Sequence, residues 1–244
     1  MRPVSAGPVI GLTALLALLG MLTVTVGLGA VGWTVGVGCA VIASATLARA
    51  LKRHGTFRLG PADRVTLARA VLIGAVLALV ADSTRPPLPA VVLLAATALV
   101  LDGVDGWVAR RTGTTSELGA RFDQDVDAFL ILVLSIEVAR SLGLWVLLIG
   151  LARYAFVAAG RRWAWLREPA PPRHWCKVVA AIQGVVLTVV TAGVAPRPVC
   201  AVAVAVALVL LAESFGREAW QKWQYHRAPG PVVLAPHRER VPAA

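Results

Sequence analysis

Apolar residues run almost unbroken through Pro8–Ala48, Ala68–Ala81, Leu88–Val100, Leu142–Gly160 and Val178–Val194, and charged residues gather between these stretches. The hydrocarbon core of a bilayer, about 30 Å thick, takes about 20 helical residues to cross, a length several runs reach once their flanks are included. The pattern predicts eight spans, near residues 8–28, 31–48, 66–82, 88–109, 120–138, 142–160, 176–195 and 198–215. The first two form a pair joined through a glycine-rich turn around Gly27 to Gly32, although 8–48 also admits one tilted span with an interfacial piece. Gly27, Gly32 and Gly36 show the free use of small residues that goes with close helix packing.

Between the spans, Arg49–Gly60 is expected along the interface. Asp63–Arg69 is expected to begin as a surface helix, with Asp63 as its cap and as an acid in its first turn. After Tyr225 the chain carries Pro229, Pro231, Pro236 and Pro242 among basic residues, the composition of an irregular tail. The division is therefore 1–48 as an N-terminal transmembrane hairpin, 49–62 as a basic juxtamembrane segment, 63–216 as a six-span transmembrane domain and 217–244 as a tail.

Composition supports the membrane reading. Of 244 residues 58% are hydrophobic and 15% charged, where a soluble domain is about a quarter charged. Too little polar sequence remains to cover a soluble core of buried helices. The N-terminal apolar stretch exceeds the 7–15 residues or so of a signal peptide and runs into a second one, despite Arg2 at its start. Cys39, Cys176 and Cys200 are scattered in apolar surroundings, with no metal-ligand spacing and no paired framework. The net charge of +11 lies beside hydrophobic helices with no nucleic-acid recognition module. Membrane lipids, through anionic headgroups, are thus the expected partners, and nucleic acid is not.

Charge also orients the chain. Arg49, Lys52, Arg53, Arg58 and Arg64 lie between the second and third spans, and Arg110, Arg111 and Arg121 between the fourth and fifth. Arg161, Arg162, Arg167, Arg173 and Lys177 follow the sixth, and Arg217 and Lys222 the eighth; the opposite side holds only Arg85, Arg140 and Arg197. The positive-inside rule puts the basic side in the cytoplasm. Eight spans leave both termini there; seven would move the N-terminus across without changing the active side.

Five of the seven aspartates fall between Asp102 and Asp127. Asp102 and Asp105 are three apart and Asp123 and Asp127 four apart, so on helices each pair shares a face. A short turn near Thr112–Thr115 lets the two helices run antiparallel and brings the four carboxylates together at the cytoplasmic membrane end. Carboxylates there repel and are costly, and a divalent cation resolves the repulsion. Oxygen-only ligation favours Mg²⁺ or Mn²⁺, and two ions about 3.5–4 Å apart would clamp a diphosphate. The competing reading is a set of cap acids paired with Arg110, Arg111 and Arg121. Asp125 is off the shared face and is expected toward solvent or behind the ligands. Gly106 permits close approach of a ligand or of another backbone, and Arg110 is placed to reach a phosphate.

These residues resemble the CDP-alcohol phosphatidyltransferase family. Asp102-Gly-Val-Asp105-Gly106-Trp-Val-Ala109-Arg110, then eight residues, then Gly119-Ala-Arg-Phe-Asp123-Gln-Asp-Val-Asp127 reproduces all eight fixed positions of the family signature. The resemblance covers about Asp63 to Gly216 and implies an all-α polytopic membrane protein, a six-helix core preceded here by an extra hydrophobic helix pair. It implies Asp102, Asp105 and Asp123 as metal ligands, and Asp127 as both ligand and general base. It also implies a nucleotide site with Gly106, Arg110, Ser116, Asp63 and Thr66. Pro172–Lys177, with Gln183, loosely resembles the family's basic stretch at the fifth core span, with Cys176 where a glycine is usual. The implied reaction moves a phosphatidyl group from a CDP-linked lipid such as CDP-diacylglycerol to an alcohol and releases CMP.

For the acceptor, Arg153 lies inside an apolar run, where a phosphorylated polyol, a nearby aspartate or snorkelling would accommodate it. With Arg173 and Lys177 it favours an anionic acceptor, such as glycerol 3-phosphate or an inositol phosphate, over choline or ethanolamine. The family's glycerol-phosphate enzymes often place Lys after the fourth aspartate, and Ala128 departs from that. A homodimer is compatible with this reading. The alternatives are a divalent-cation transporter and a catalytically inactive scaffold.

Overall fold

The computed structural model describes residues 6–54, 61–82, 86–112, 117–167 and 174–227. Among them the chain forms eight α-helices: α1 (Ala6–Val26), α2 (Ala30–His54), α3 (Pro61–Asp82), α4 (Leu88–Thr112), α5 (Glu117–Leu142), α6 (Leu147–Arg162), α7 (His174–Thr191) and α8 (Arg197–Arg227), with 3-10 turns at Leu144–Val146 and Ala164–Arg167. Each predicted span coincides with one helix.

Several boundaries differ, for local reasons. The stretch 8–48 is a helical hairpin, turned at Gly27, whose φ of 75° suits a residue without a Cβ. The Arg49–His54 part of the segment expected along the interface continues α2, and residues 55–60 lie outside the described ones. Pro61 opens α3, where its missing N–H and fixed φ suit a first helical position. Asp63 therefore sits in the first turn and is not the cap. α8 runs for 31 residues to Arg227, so 217–227 is helix. The proline-rich remainder lies outside the described residues, as does the 113–116 part of the turn expected near Thr112–Thr115.

α3 is the central post. Half of its span is buried (50%), against 22% for the spans of α1, α2 and α6. Thr66, Arg69, Ile73, Val76 and Val80 recur at three- and four-residue steps and are all buried, which defines its innermost stripe. The hairpin is clamped to the C-terminal end of α3. The Asp82 carboxylate accepts hydrogen bonds from the Gly29 N–H at 2.9 Å and the Gly32 N–H at 2.8 Å, satisfying donors at the start of α2. A Cβ at Gly32 would stand 3.0 Å from the Ala78 carbonyl oxygen, so a larger residue there would press the α2 backbone away from α3.

Outward faces carry exposed apolar side chains, Val24, Leu93 and Val209 among them. Among the described residues five helices are long and apolar enough to cross a membrane, and α4 and α7 carry shorter apolar stretches, Leu88–Val104 and Trp175–Thr191. α5, with Asp123, Asp125 and Asp127 in its first half, does not reach that mark, although its 26 residues extend about 39 Å. The chain is an integral membrane protein. Alternating helix directions gather the C-terminal ends of α4, α6 and α8 with the N-terminal ends of α3, α5 and α7 on one side.

Candidate active site

The site begins with a residue on the inner stripe of α3. Arg69 is fully buried, and its Nε donates to the Ala98 carbonyl of α4 at 3.1 Å. Its Nη1 lies 2.9 Å from Asp102 Oδ1 and 2.6 Å from Asp123 Oδ1. Its Nη2 pairs with Asp127 Oδ1. One guanidinium on α3 thus joins α4 to both turns of α5 that carry the acids. A buried cation is tolerable only with such partners.

The carboxylates themselves face open space, with Asp102, Asp123 and Asp127 side chains 35%, 29% and 30% exposed. One oxygen from each lies within 4.8 Å of the others. Three converging carboxylates, oxygen donors only, fit one hard divalent ion. Three of the four aspartates predicted to meet therefore do so, across α4 and α5. Asp105 follows one turn later on α4; its side chain, with those of Arg110, Arg111 and Arg121, is outside the described ones. Gly106 lies in that same part of α4, while Ser116 and Arg173 are outside the described residues altogether. Asp63 and Thr66 both fall in the first two turns of α3, Thr66 buried and Asp63 half-buried.

The same aspartates line a cavity of about 350 Å³ among α4 to α8. Leu130, Ile131, Ile149 and Leu211 give it an apolar part, and Gln124, Arg153, Cys176, Lys177 and Glu218 a polar one. Arg153 Nη2 is 3.0 Å from Asp125 Oδ1 and 3.5 Å from Gln124 Oε1. Of the roles open to Arg153, an ion pair with an aspartate is the one observed, and Asp125 is exposed and off the cluster as its register predicted. Glu218 pairs with Lys222 at 2.9 Å. Lys177 has no ion-pair partner among the described residues. Gln183 is buried on α7, with its Nε2 donating to the Ala207 carbonyl of α8 at 2.7 Å, so it joins the two helices behind the cavity.

A cluster of aspartates from two adjacent helices is the arrangement that the spaced signature on α4 and α5 implies. Residues 59–213, more than half of the chain, match the family model described as CDP-alcohol phosphatidyltransferase. The chain belongs to the CDP-alcohol phosphatidyltransferase family. No curated protein and no solved structure gives a significant match. As a CDP-alcohol phosphatidyltransferase it is an enzyme acting between a CDP-linked lipid donor and an alcohol acceptor, with acids grouped for metal-assisted catalysis. α1 and all of α2 precede the matched region.

In this phosphatidyltransferase the residue that sequence reasoning missed is Arg69. Its position at the start of the apolar run Ala68–Ala81 made it pass for a residue at the interface. The available sign was its register: three residues after Thr66 and four before Ile73, it falls on the stripe that α3 buries.

Proposed function

We propose that this CDP-alcohol phosphatidyltransferase moves the phosphatidyl group of a CDP-lipid such as CDP-diacylglycerol to a phosphorylated polyol at the cytoplasmic membrane face, releasing CMP. The observation that carries the reading is a single cavity lined by three clustered carboxylates and by two cations, Arg153 and Lys177. Carboxylates suit the donor's metal-bound diphosphate, whereas the cations suit an anionic acceptor.

The acceptor oxygen forms a bond to the phosphorus that carries the lipid, and the bond from that phosphorus to the CMP oxygen breaks. Asp127 takes the hydroxyl proton. Asp102, Asp105, Asp123 and Asp127 would hold two divalent ions, which would neutralise the diphosphate and the charge growing on the leaving oxygen. Asp63, Thr66, Gly106, Arg110 and Ser116 hold the nucleotide, and Arg153, Arg173 and Lys177 orient the acceptor. The catalytic unit is 63–216, with 1–48 as an appended hairpin. The cytoplasmic placement is supported by the basic residues of α6, α7 and α8 on the site's side, Arg161, Arg162, Lys177 and Arg217 among them. Acyl chains then stay in hydrocarbon while the nucleotide stays in water.

The test is CMP release by purified protein from CDP-diacylglycerol with added Mg²⁺ or Mn²⁺. Glycerol 3-phosphate, an inositol phosphate, choline and ethanolamine are compared, and products identified. Release with a phosphorylated polyol alone is expected. Reaction only with choline or ethanolamine would overturn the acceptor assignment.

A further inference from the structure

Beside the aspartates stands a cation that metal-assisted transfer does not by itself require. Arg69 has no exposed surface, is held by the Ala98 carbonyl, and touches the Oδ1 atoms of Asp102, Asp123 and Asp127. A guanidinium keeps its charge at any physiological pH, and its rigid fork serves several oxygens at once. We propose that Arg69 is the resident counter-cation of the acidic cluster. As a positioning residue, it keeps the ion-free protein folded, holds three carboxylates in register for a divalent ion, and limits the donor-free protein to one such ion. The inference rests on the metal-binding reading given above.

Charge balance is the first argument. Three carboxylates against one guanidinium leave two negative charges, which one divalent ion neutralises. Counting Asp105, a second ion would leave the site net positive unless it arrived with the donor's anionic diphosphate. Geometry is the second. The three carboxylates that Arg69 touches are the same three whose oxygens converge within 4.8 Å, so guanidinium and ion draw on the same side chains. Burial is the third. Arg69 has no exposed surface and its Nε is bonded to α4, so an entering ion does not displace it. It stays and the ion binds beside it.

The experiment uses the full chain, purified in detergent, stripped with EDTA and free of CDP-lipid. Thermal unfolding and Mn²⁺ binding, read from the electron paramagnetic resonance of free Mn²⁺, are measured together. The wild type is expected to bind one Mn²⁺ per chain and to unfold within a few degrees of the same temperature with or without it. Arg69→Gln is expected to lose about 10 °C of Tm in EDTA, to regain it with Mn²⁺, and to bind two Mn²⁺, the first about tenfold more tightly. Arg69→Gln with Asp123→Asn restores the original charge balance and is expected to recover the ion-free Tm.

Asp102→Asn separates this inference from the metal reading beneath it. If Asp102→Asn binds Mn²⁺ as the wild type does, the cluster is not the metal site and both ideas fall. If it weakens binding while Arg69→Gln leaves ion-free Tm and Mn²⁺ count unchanged, only the counter-cation role is overturned. Should Arg69→Gln yield no folded protein with or without Mn²⁺, the double variant decides. Its recovery supports charge compensation, and its failure overturns it.

Discussion

Asp127 and Asp123 stand one turn apart on α5 and share one guanidinium, yet the proposed chemistry gives them different work. Asp127→Asn removes the proposed base, and CMP release is expected to fall about a thousandfold, within the range of general-base contributions. The variant is expected to remain in the membrane fraction, and near-normal turnover would remove the base assignment. Arg153 is proposed to orient the acceptor. Arg153→Gln is expected to raise KM for a phosphorylated acceptor about tenfold, the scale of one charge-assisted hydrogen bond, with kcat nearly unchanged. A fall in kcat with KM preserved would point away from ground-state acceptor binding. At this scale the acids were legible in the sequence because i,i+3 and i,i+4 spacings on two adjacent helices fix a shared face. Arg69 was not, since one charge in a run of apolar residues reads as a helix end until the stripe that buries it is known.

Helices and their order were the most legible feature, because span length and apolar content follow directly from bilayer thickness. Their ends were less so. Pro61 moved the start of α3 ahead of Asp63, and α8 continued past Gly216 because nothing in Arg217–Arg227 breaks a helix and the Glu218–Lys222 pair supports it. The attachment of the hairpin was hidden as well, since Asp82 and the N–H groups it receives are about fifty residues apart. Asp82→Ala removes these two bonds and is expected to lower stability by about 1–2 kcal/mol, the range for loss of a helix cap. Mn²⁺ binding should not change, because Asp82 lies at the far end of α3 from Arg69. Denaturant unfolding with a parallel Mn²⁺ titration checks both, and a change in Mn²⁺ affinity would mean that the hairpin clamp reaches the site.

For the whole molecule, orientation and chemistry are linked, because the CDP-lipid and the acceptor must meet the aspartates from one side. Trp163, exposed just after α6, lies on that side, and Leu144, exposed before it, on the other. In a cysteine-free background, Trp163→Cys is expected to react with an impermeant maleimide only when the cytoplasmic face is open, and Leu144→Cys only from outside. The reverse pattern would invert the topology while leaving the site intact. The cluster itself is tested most directly by titrating Mn²⁺ against CMP release from CDP-diacylglycerol, wild type beside Asp123→Asn. Clustered aspartates that hold the ion for transfer predict release that is absent in EDTA, saturates with Mn²⁺ in the wild type, and in the variant needs far more Mn²⁺ or never appears. Equal Mn²⁺ dependence in the two proteins, or full release in EDTA, would contradict it.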